Sequence, residues 1–143
     1  MAKASKELNL VRPTLSTEKG IEVKEGWHPL YAAACDHFVP NDVEITKETG
    51  FIGVLTGPNA SGKSVYLKQI GLIVYMAHIG CFVPAESAKI GIVTHIFSRI
   101  HSTECVASHM SAFLIDLRQL YYVHYWLWSV DSPQLFLSYH NSV

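Results

Sequence analysis

The chain has 143 residues, of which 49% are hydrophobic and only 16% are charged. Soluble domains carry about 25% charged residues, so this composition predicts a packed core and excludes a long disordered chain. A formal net charge of −1 excludes a basic field over the whole surface, so any DNA contact would depend on a local patch or on another part of a larger protein.

The cysteines and the N-terminus indicate an intracellular protein. Three scattered cysteines, an odd number with no CxxC pair, are typical of reduced thiols. The N-terminus lacks the apolar stretch of a secretory signal. The charge-free stretch from Gln69 to Ala85 contains Pro84 and is too short to span a bilayer comfortably, so we expect no membrane partner.

The first half of the chain predicts short elements after a polar lead-in. Ile21 to Glu25 alternates apolar and charged residues, which predicts a half-buried strand. Leu30 to Cys35 predicts a helical turn. Val43 and Ile45 indicate another short strand.

Longer apolar segments follow. Phe51 to Leu55 is a continuous apolar run between glycines, typical of a strand buried on both faces. The segment from Lys63 to about Gly80 lacks proline and is apolar nearly all round, which predicts a helix buried on every side. Thr94 to Ile100 predicts a strand, and Ser111 to about Gln119 predicts a helix with Ser111 as a possible N-cap.

A phosphate-binding motif lies between the predicted buried strand and the long helix. Residues 57–64 fit G-x-x-x-x-G-K-[ST], a loop whose successive backbone N–H groups form a nest for phosphate oxygens at a helix N-terminus. A chance match in a glycine-containing turn is the alternative, and the flanking strand and helix favour a nucleotide site. The predicted site comprises Gly57, Pro58, Asn59, Ala60, Ser61, Gly62, Lys63, which would bridge the β- and γ-phosphates, and Ser64, which would bind Mg²⁺.

The carboxylate that such a site needs for magnesium is not evident. Asp116 and Asp131 follow apolar residues, but neither is followed by a second acid that would activate water. Asp116 also fits a polar position on the helix that begins at Ser111. We therefore assign no catalytic residue.

Seven segments carry a shared pattern: Thr56–Leu72, Gly26–Leu30, Phe38–Asp42, Gly80–Ala85, Ile90–Gly91, Ile96–Glu104 and Ser111–Leu117. Together they resemble the ATPase domain of the MutS mismatch-repair family, and most closely its eukaryotic meiotic branch. The resemblance covers about residues 5–120, which suggests a lead-in at 1–18, a partial ATPase domain at 19–120 and a non-matching tail at 121–143. That tail holds seven of the sixteen aromatic residues and one charged residue.

The resemblance implies an α/β fold, the three-layer P-loop NTPase sheet of ABC-type ATPases, here incomplete, with ATP and Mg²⁺ as cofactors. It implies that Phe38 stacks on the adenine, although a core phenylalanine is the alternative. It implies that Ser111 reaches across a dimer to the γ-phosphate of the partner, although a plain N-cap is equally compatible. His28 would be structural. The implied setting is the nucleus, with a heterodimer partner and with mismatched or branched DNA bound by the larger assembly.

Two departures from the family pattern limit these expectations. Trp27 stands where the family usually has arginine. Beyond Leu120 the family continues to a strand that ends in Asp-Glu, and this chain does not. We therefore expect a fragment that binds ATP without hydrolysing it.

Other functions fit the residues less well. A non-catalytic interaction module, or a truncated translation product without nucleotide function, is the main alternative. A small nucleotide kinase would need several arginines after the phosphate helix, and only Arg99 and Arg118 follow. A metal site lacks the usual zinc spacing and would have to use His101, Glu104, Cys105 and His109.

Overall fold

A computed structural model describes residues 2–35, 37–58, 60–99, 121 and 134–138. The chain forms two compact units, Met1–Ile92 and Val93–Val143. The first unit contains helices α1 (Ala2–Glu7), α2 (Pro29–Ala34) and α3 (Lys63–His78), and strands β1 (Thr14–Ser16), β2 (Ile21–Gly26), β3 (Asn41–Ile45) and β4 (Ser87–Gly91). The second contains β5 (His95–Arg99) and β6 (Gln134–Ser138).

The first unit is built on a mixed four-stranded sheet in the order β1-β4-β2-β3. β1 is parallel to β4, whereas β2 is antiparallel to both of its neighbours. The α/β class is therefore confirmed for this unit.

Strand β2 confirms the prediction from alternation. Ile21 and Val23 are buried, whereas Glu22 and Lys24 are exposed. The alternation ends where Glu25 adopts φ 46° and the pairing with β3 shifts register, so β2 carries a bulge at its end. This bulge turns the chain towards α2.

Helix α3 confirms the predicted element but not its predicted burial. Its buried apolar residues are Ile70, Ile73, Val74 and Ala77, at the spacing of one helical face. Tyr75 is 55% exposed on another side. The prediction of burial on every side was therefore wrong, because the sheet of this unit covers a single face of the helix.

The prediction of a buried strand at Phe51–Leu55 was also wrong. These residues adopt no strand, and Ile52 and Val54 are 89% and 85% exposed. A run that is apolar on both faces forms a buried strand only when neighbouring strands supply hydrogen bonds and side chains. Among the residues that the structure describes, none pairs with this segment.

The second unit contains a parallel pair. β5 confirms the strand predicted at 94–100, and it pairs with β6 from His95 opposite Gln134 to Arg99 opposite Ser138. Leu135 and Leu137 are buried on β6. This strand lies in the aromatic tail, where the sequence indicated no element. The helix predicted from Ser111 lies outside the described residues.

In the described ranges no helix is both long and apolar enough to cross a membrane.

Candidate functional site

The predicted phosphate loop, residues 57–64, ends in a left-handed turn at the start of α3. Gly62 is the N-cap with φ 91°, and Ala60 also has positive φ, at 61°. The side chain of a non-glycine residue would be strained at Gly62. The cap makes no side-chain hydrogen bond, and no acidic residue occupies the first helical turn. The positive end of the helix dipole therefore has no acidic counter-charge in its first turn, as an anion site requires.

The Lys63 ammonium folds back onto the loop. Its Nζ donates to the carbonyl oxygens of Gly57 and Pro58, each at 2.6 Å. These contacts draw the two ends of the loop together around one positive charge. Phosphate oxygens are acceptors of the same kind with a greater charge, so they would compete for these donors.

The loop backbone is compact where it leaves Gly57. A Cβ on Gly57 would lie 3.1 Å from the Ser61 side-chain oxygen, so a larger residue would crowd the turn. The Ser61 amide donates weakly to the Pro58 carbonyl at 3.4 Å. Ser64 is half-buried on the first turn of α3. Of the predicted loop residues, Asn59 lies outside the described ones.

The sheet holds the first half of α3 in place. Tyr66 Oη donates to the Asp42 carbonyl at 3.0 Å, and Gln69 Nε2 donates to the Asn41 carbonyl at 3.5 Å. Gln69 is only 2% exposed, and a Cβ on Gly26 would lie 2.8 Å from its Nε2 atom. Glycine at the end of β2 therefore lets the helix approach the sheet closely. Sequence reasoning missed both polar contacts, because nothing in the local pattern pairs residues 24 or more positions apart.

The Asp42 carboxylate fixes the β2 bulge. It accepts the Glu25 amide at 2.8 Å and the Lys24 ammonium at 3.2 Å. The hydrogen bond from the Glu25 amide, followed by that from Lys24, lowers the pKa of Asp42. The chain between β2 and β3 is thus held at both of its ends.

His28 is the N-cap residue of α2, and its structural role stays a prediction. Its carbonyl accepts the amides of Tyr31 and Ala32 at the start of α2, and its ring meets Tyr31 edge-on at 5.0 Å. The Nδ1 atom is buried and finds no hydrogen-bond partner in the described part of the chain. Burial, with a smaller contribution from the positive charge of Lys68, lowers the pKa of His28.

Phe38 lies in the irregular segment between α2 and β3 and is 44% exposed. Its ring packs against that of Trp27, with centroids 5.7 Å apart and planes tilted by 40°. The exposure argues against the alternative of a core phenylalanine. Its predicted contact with adenine stays a prediction.

A cavity of about 570 Å³ lies near the start of β2 and the end of β4, and none of the described loop residues lines it. Its charged lining is balanced between three lysines and three glutamates, so it favours neither sign of ligand. The charged residues are Glu18, Lys19, Glu22, Lys47, Glu48 and Lys89.

The remaining candidate residues do not form a site in the described part of the structure. Ser111 and the four possible metal ligands at 101–109 lie outside it. Among the described His, Cys, Asp and Glu side chains, no group of three is placed to hold a metal ion.

Comparison with known proteins gives a consistent result. Residues 53–125 match the family model of MutS domain V. MutS protein homolog 5 of Saccharomyces cerevisiae is 45% identical over 131 residues, which cover 83% of this chain and 14% of that protein. The DNA mismatch repair protein MutS is 43% identical in Thermodesulfovibrio yellowstonii, over 82% of this chain and 15% of the relative. In Alkaliphilus oremlandii it is 39% identical, over 83% and 14%. The chain thus spans about a seventh of the length of these relatives.

Proposed function

We propose, from the premise that this chain belongs to the MutS family, that residues 57–64 bind the phosphates of ATP together with Mg²⁺. The observation that carries the proposal is the arrangement at the start of α3. There the Lys63 ammonium and a helix N-terminus free of acidic residues converge on one loop. Such a concentration of donors is suited to an anion such as a polyphosphate.

Binding would proceed by exchange of acceptors. Phosphate oxygens would replace the carbonyls of Gly57 and Pro58 as partners of the Lys63 ammonium, which would then bridge the β- and γ-phosphates. The amides at the start of α3 would donate to the same phosphates. The Ser64 hydroxyl would bind Mg²⁺, whose charge offsets that of the triphosphate.

The wider setting is proposed from the family. In our proposal this segment belongs to a three-layer P-loop ATPase domain of the ABC type. Phe38 stacks on the adenine. Ser111 reaches across a heterodimer to the γ-phosphate of the partner. The whole protein would bind mismatched or branched DNA in the nucleus and take part in meiotic recombination. The meiotic part rests on the resemblance of this sequence to the meiotic branch of the family. No residue of this chain is proposed as a catalytic carboxylate.

Titration with a fluorescent ATP analogue in the presence of Mg²⁺ tests the proposal. Lys63→Ala removes the one charged group of the loop, and we expect at least about tenfold weaker binding, since hydrogen bonds to charged groups contribute about 1.5–3 kcal/mol. Lys47→Ala, which removes an exposed lysine outside the loop, is the matched control and should bind like the wild type. Equal, negligible binding by the wild type and Lys63→Ala would exclude the proposal.

A second function, a non-catalytic interaction module, is favoured by one observation. Phe51, Ile52, Val54 and Leu55 form an exposed apolar run, and contiguous exposed apolar surface marks interaction sites. The test compares the wild type with the double variant Ile52→Ser/Val54→Ser. If the wild type self-associates as its concentration rises, the double variant does not, and neither protein binds ATP, this second function replaces the first.

A further inference from the structure

Trp27 and Phe38 form an aromatic pair across two segments of the first unit. Their centroid separation of 5.7 Å and tilt of 40° lie within the range in which aromatic rings attract each other. Trp27 is half-buried, whereas Phe38 is 44% exposed. The pair therefore consists of an inner ring, that of Trp27, which contacts an outer ring, that of Phe38, and the outer ring is accessible to solvent.

The backbone of Trp27 is held on two sides. Its amide donates to the Pro84 carbonyl at 3.0 Å, just before β4 begins. The preceding Gly26 lies so close to α3 that a Cβ there would be 3.1 Å from Ile73 Cδ1. Phe38 instead lies in a segment without helix or strand, where its orientation depends on what its ring contacts.

The aromatic pair is tied to the helix that begins at the phosphate loop. Gln69 contacts both Gly26, next to Trp27, and Asn41, three residues after Phe38. Gln69 is six residues from Lys63, which is about 9 Å along a helix axis. These contacts hold the chain on either side of the aromatic pair against the first half of α3. The distance of about 9 Å between Gln69 and Lys63 is comparable to the length of one nucleotide.

We propose that Trp27 is a positioning residue of the nucleotide site: its indole holds the ring of Phe38 so that the exposed face of Phe38 stacks on the nucleotide base. This inference rests on the proposed function of the loop. It adds a residue that positions the ring that stacks on the base. Lys63 binds phosphates whatever the base, whereas Trp27 acts only when a base is present. The two contributions are therefore separable by ligand.

Calorimetric titration of the full chain with MgATP and with magnesium tripolyphosphate, which has no base, separates them. Phe38→Leu should weaken ATP binding about 5- to 150-fold, the range found for base–aromatic stacking. Trp27→Leu should weaken it about 2- to 10-fold, as expected for loss of an aromatic pair. Trp27→Phe, which keeps a flat ring, should stay within about twofold. Tripolyphosphate binding should change by less than about twofold in all three variants.

Phe82→Leu is the matched control, because Phe82 is 45% exposed and receives the same substitution as Phe38. If Trp27→Leu does not fold, Trp27→Met keeps much of the volume without the ring and takes its place. Equal weakening of both ligands, or of neither, by the folded Trp27 variant overturns the inference. Failure of the wild type to bind tripolyphosphate overturns the proposed function of the loop itself.

Discussion

The sheet face of α3 and the segment that leads into the phosphate loop are similar in composition and opposite in burial. Ile73 and Val74 of α3 are fully buried, whereas Ile52 and Val54 are 89% and 85% exposed. All four are branched aliphatic residues. The difference shows that burial in this molecule depends on whether a neighbouring element supplies contacts, and not on hydrophobicity alone.

The largest effect should separate the two regions by stability. Ile73→Ala removes a side chain with no exposure and should lower the free energy of unfolding by about 2–5 kcal/mol, the usual cost of truncation plus a cavity. Ile52→Ala makes the same change at an 89% exposed position and should stay within about 0.5 kcal/mol. Urea unfolding measures both. Comparable losses would mean that Phe51–Leu55 is packed like the core.

A smaller effect on the free energy of unfolding is expected from alanine substitutions at two glycines, one closely packed and one in open space. A Cβ on Gly91, at the end of β4, would lie 2.5 Å from the Glu18 carbonyl oxygen, which belongs to the backbone and yields little. Gly91→Ala should therefore lower the free energy of unfolding by about 1–3 kcal/mol. A Cβ on Gly53 meets nothing within 4 Å, so Gly53→Ala should change it by less than about 0.5 kcal/mol. A well-tolerated Gly91→Ala would contradict the observed closeness of β4 to the Glu18–Gly20 turn.

The smallest effect is a pH dependence. Because burial lowers the pKa of His28, the unfolded chain takes up a proton there more readily than the folded one. Above the unfolded pKa of about 6.5 this difference costs no stability, and the free energy of unfolding declines as the pH falls below that value. Asp42, whose pKa is also lowered, affects the free energy of unfolding only at more acidic pH.

Unfolding free energies at pH 7.5 and pH 5.5 should therefore show a larger acid-induced loss in the wild type than in His28→Gln, which cannot titrate. If the wild type instead gains stability relative to His28→Gln on acidification, the direction of the shift is wrong.

The local elements of the core region were predictable from sequence, and the contacts between them were not. Alternation at Ile21–Glu25 predicted β2, and the proline-free apolar run predicted α3. The short strand β4 went unpredicted, because its pairing with β2 stabilises it more than any pattern of its own. The strand predicted at Phe51–Leu55 failed for the converse reason: its pattern is strong, but no described residue pairs with it.

The candidate site shows the same division. Its loop residues, Gly57 to Ser64, could be proposed from the motif spacing alone, and their phosphate binding stays a prediction. The Trp27–Phe38 contact joins residues eleven positions apart across a helix, and the Lys63 contacts with two carbonyls depend on the loop conformation. Such contacts arise from tertiary structure and leave no local sequence pattern.

The most direct test of the central claim is an amide chemical-shift titration of the ¹⁵N-labelled chain with MgATP. The account predicts that the amides of Gly57, Gly62 and Ser64 shift as phosphates replace the carbonyl partners of Lys63, while the amide of Ile90 in the sheet keeps its position. Unchanged loop amides at saturating MgATP, or shifts spread evenly over loop and sheet, would contradict a phosphate site at the start of α3.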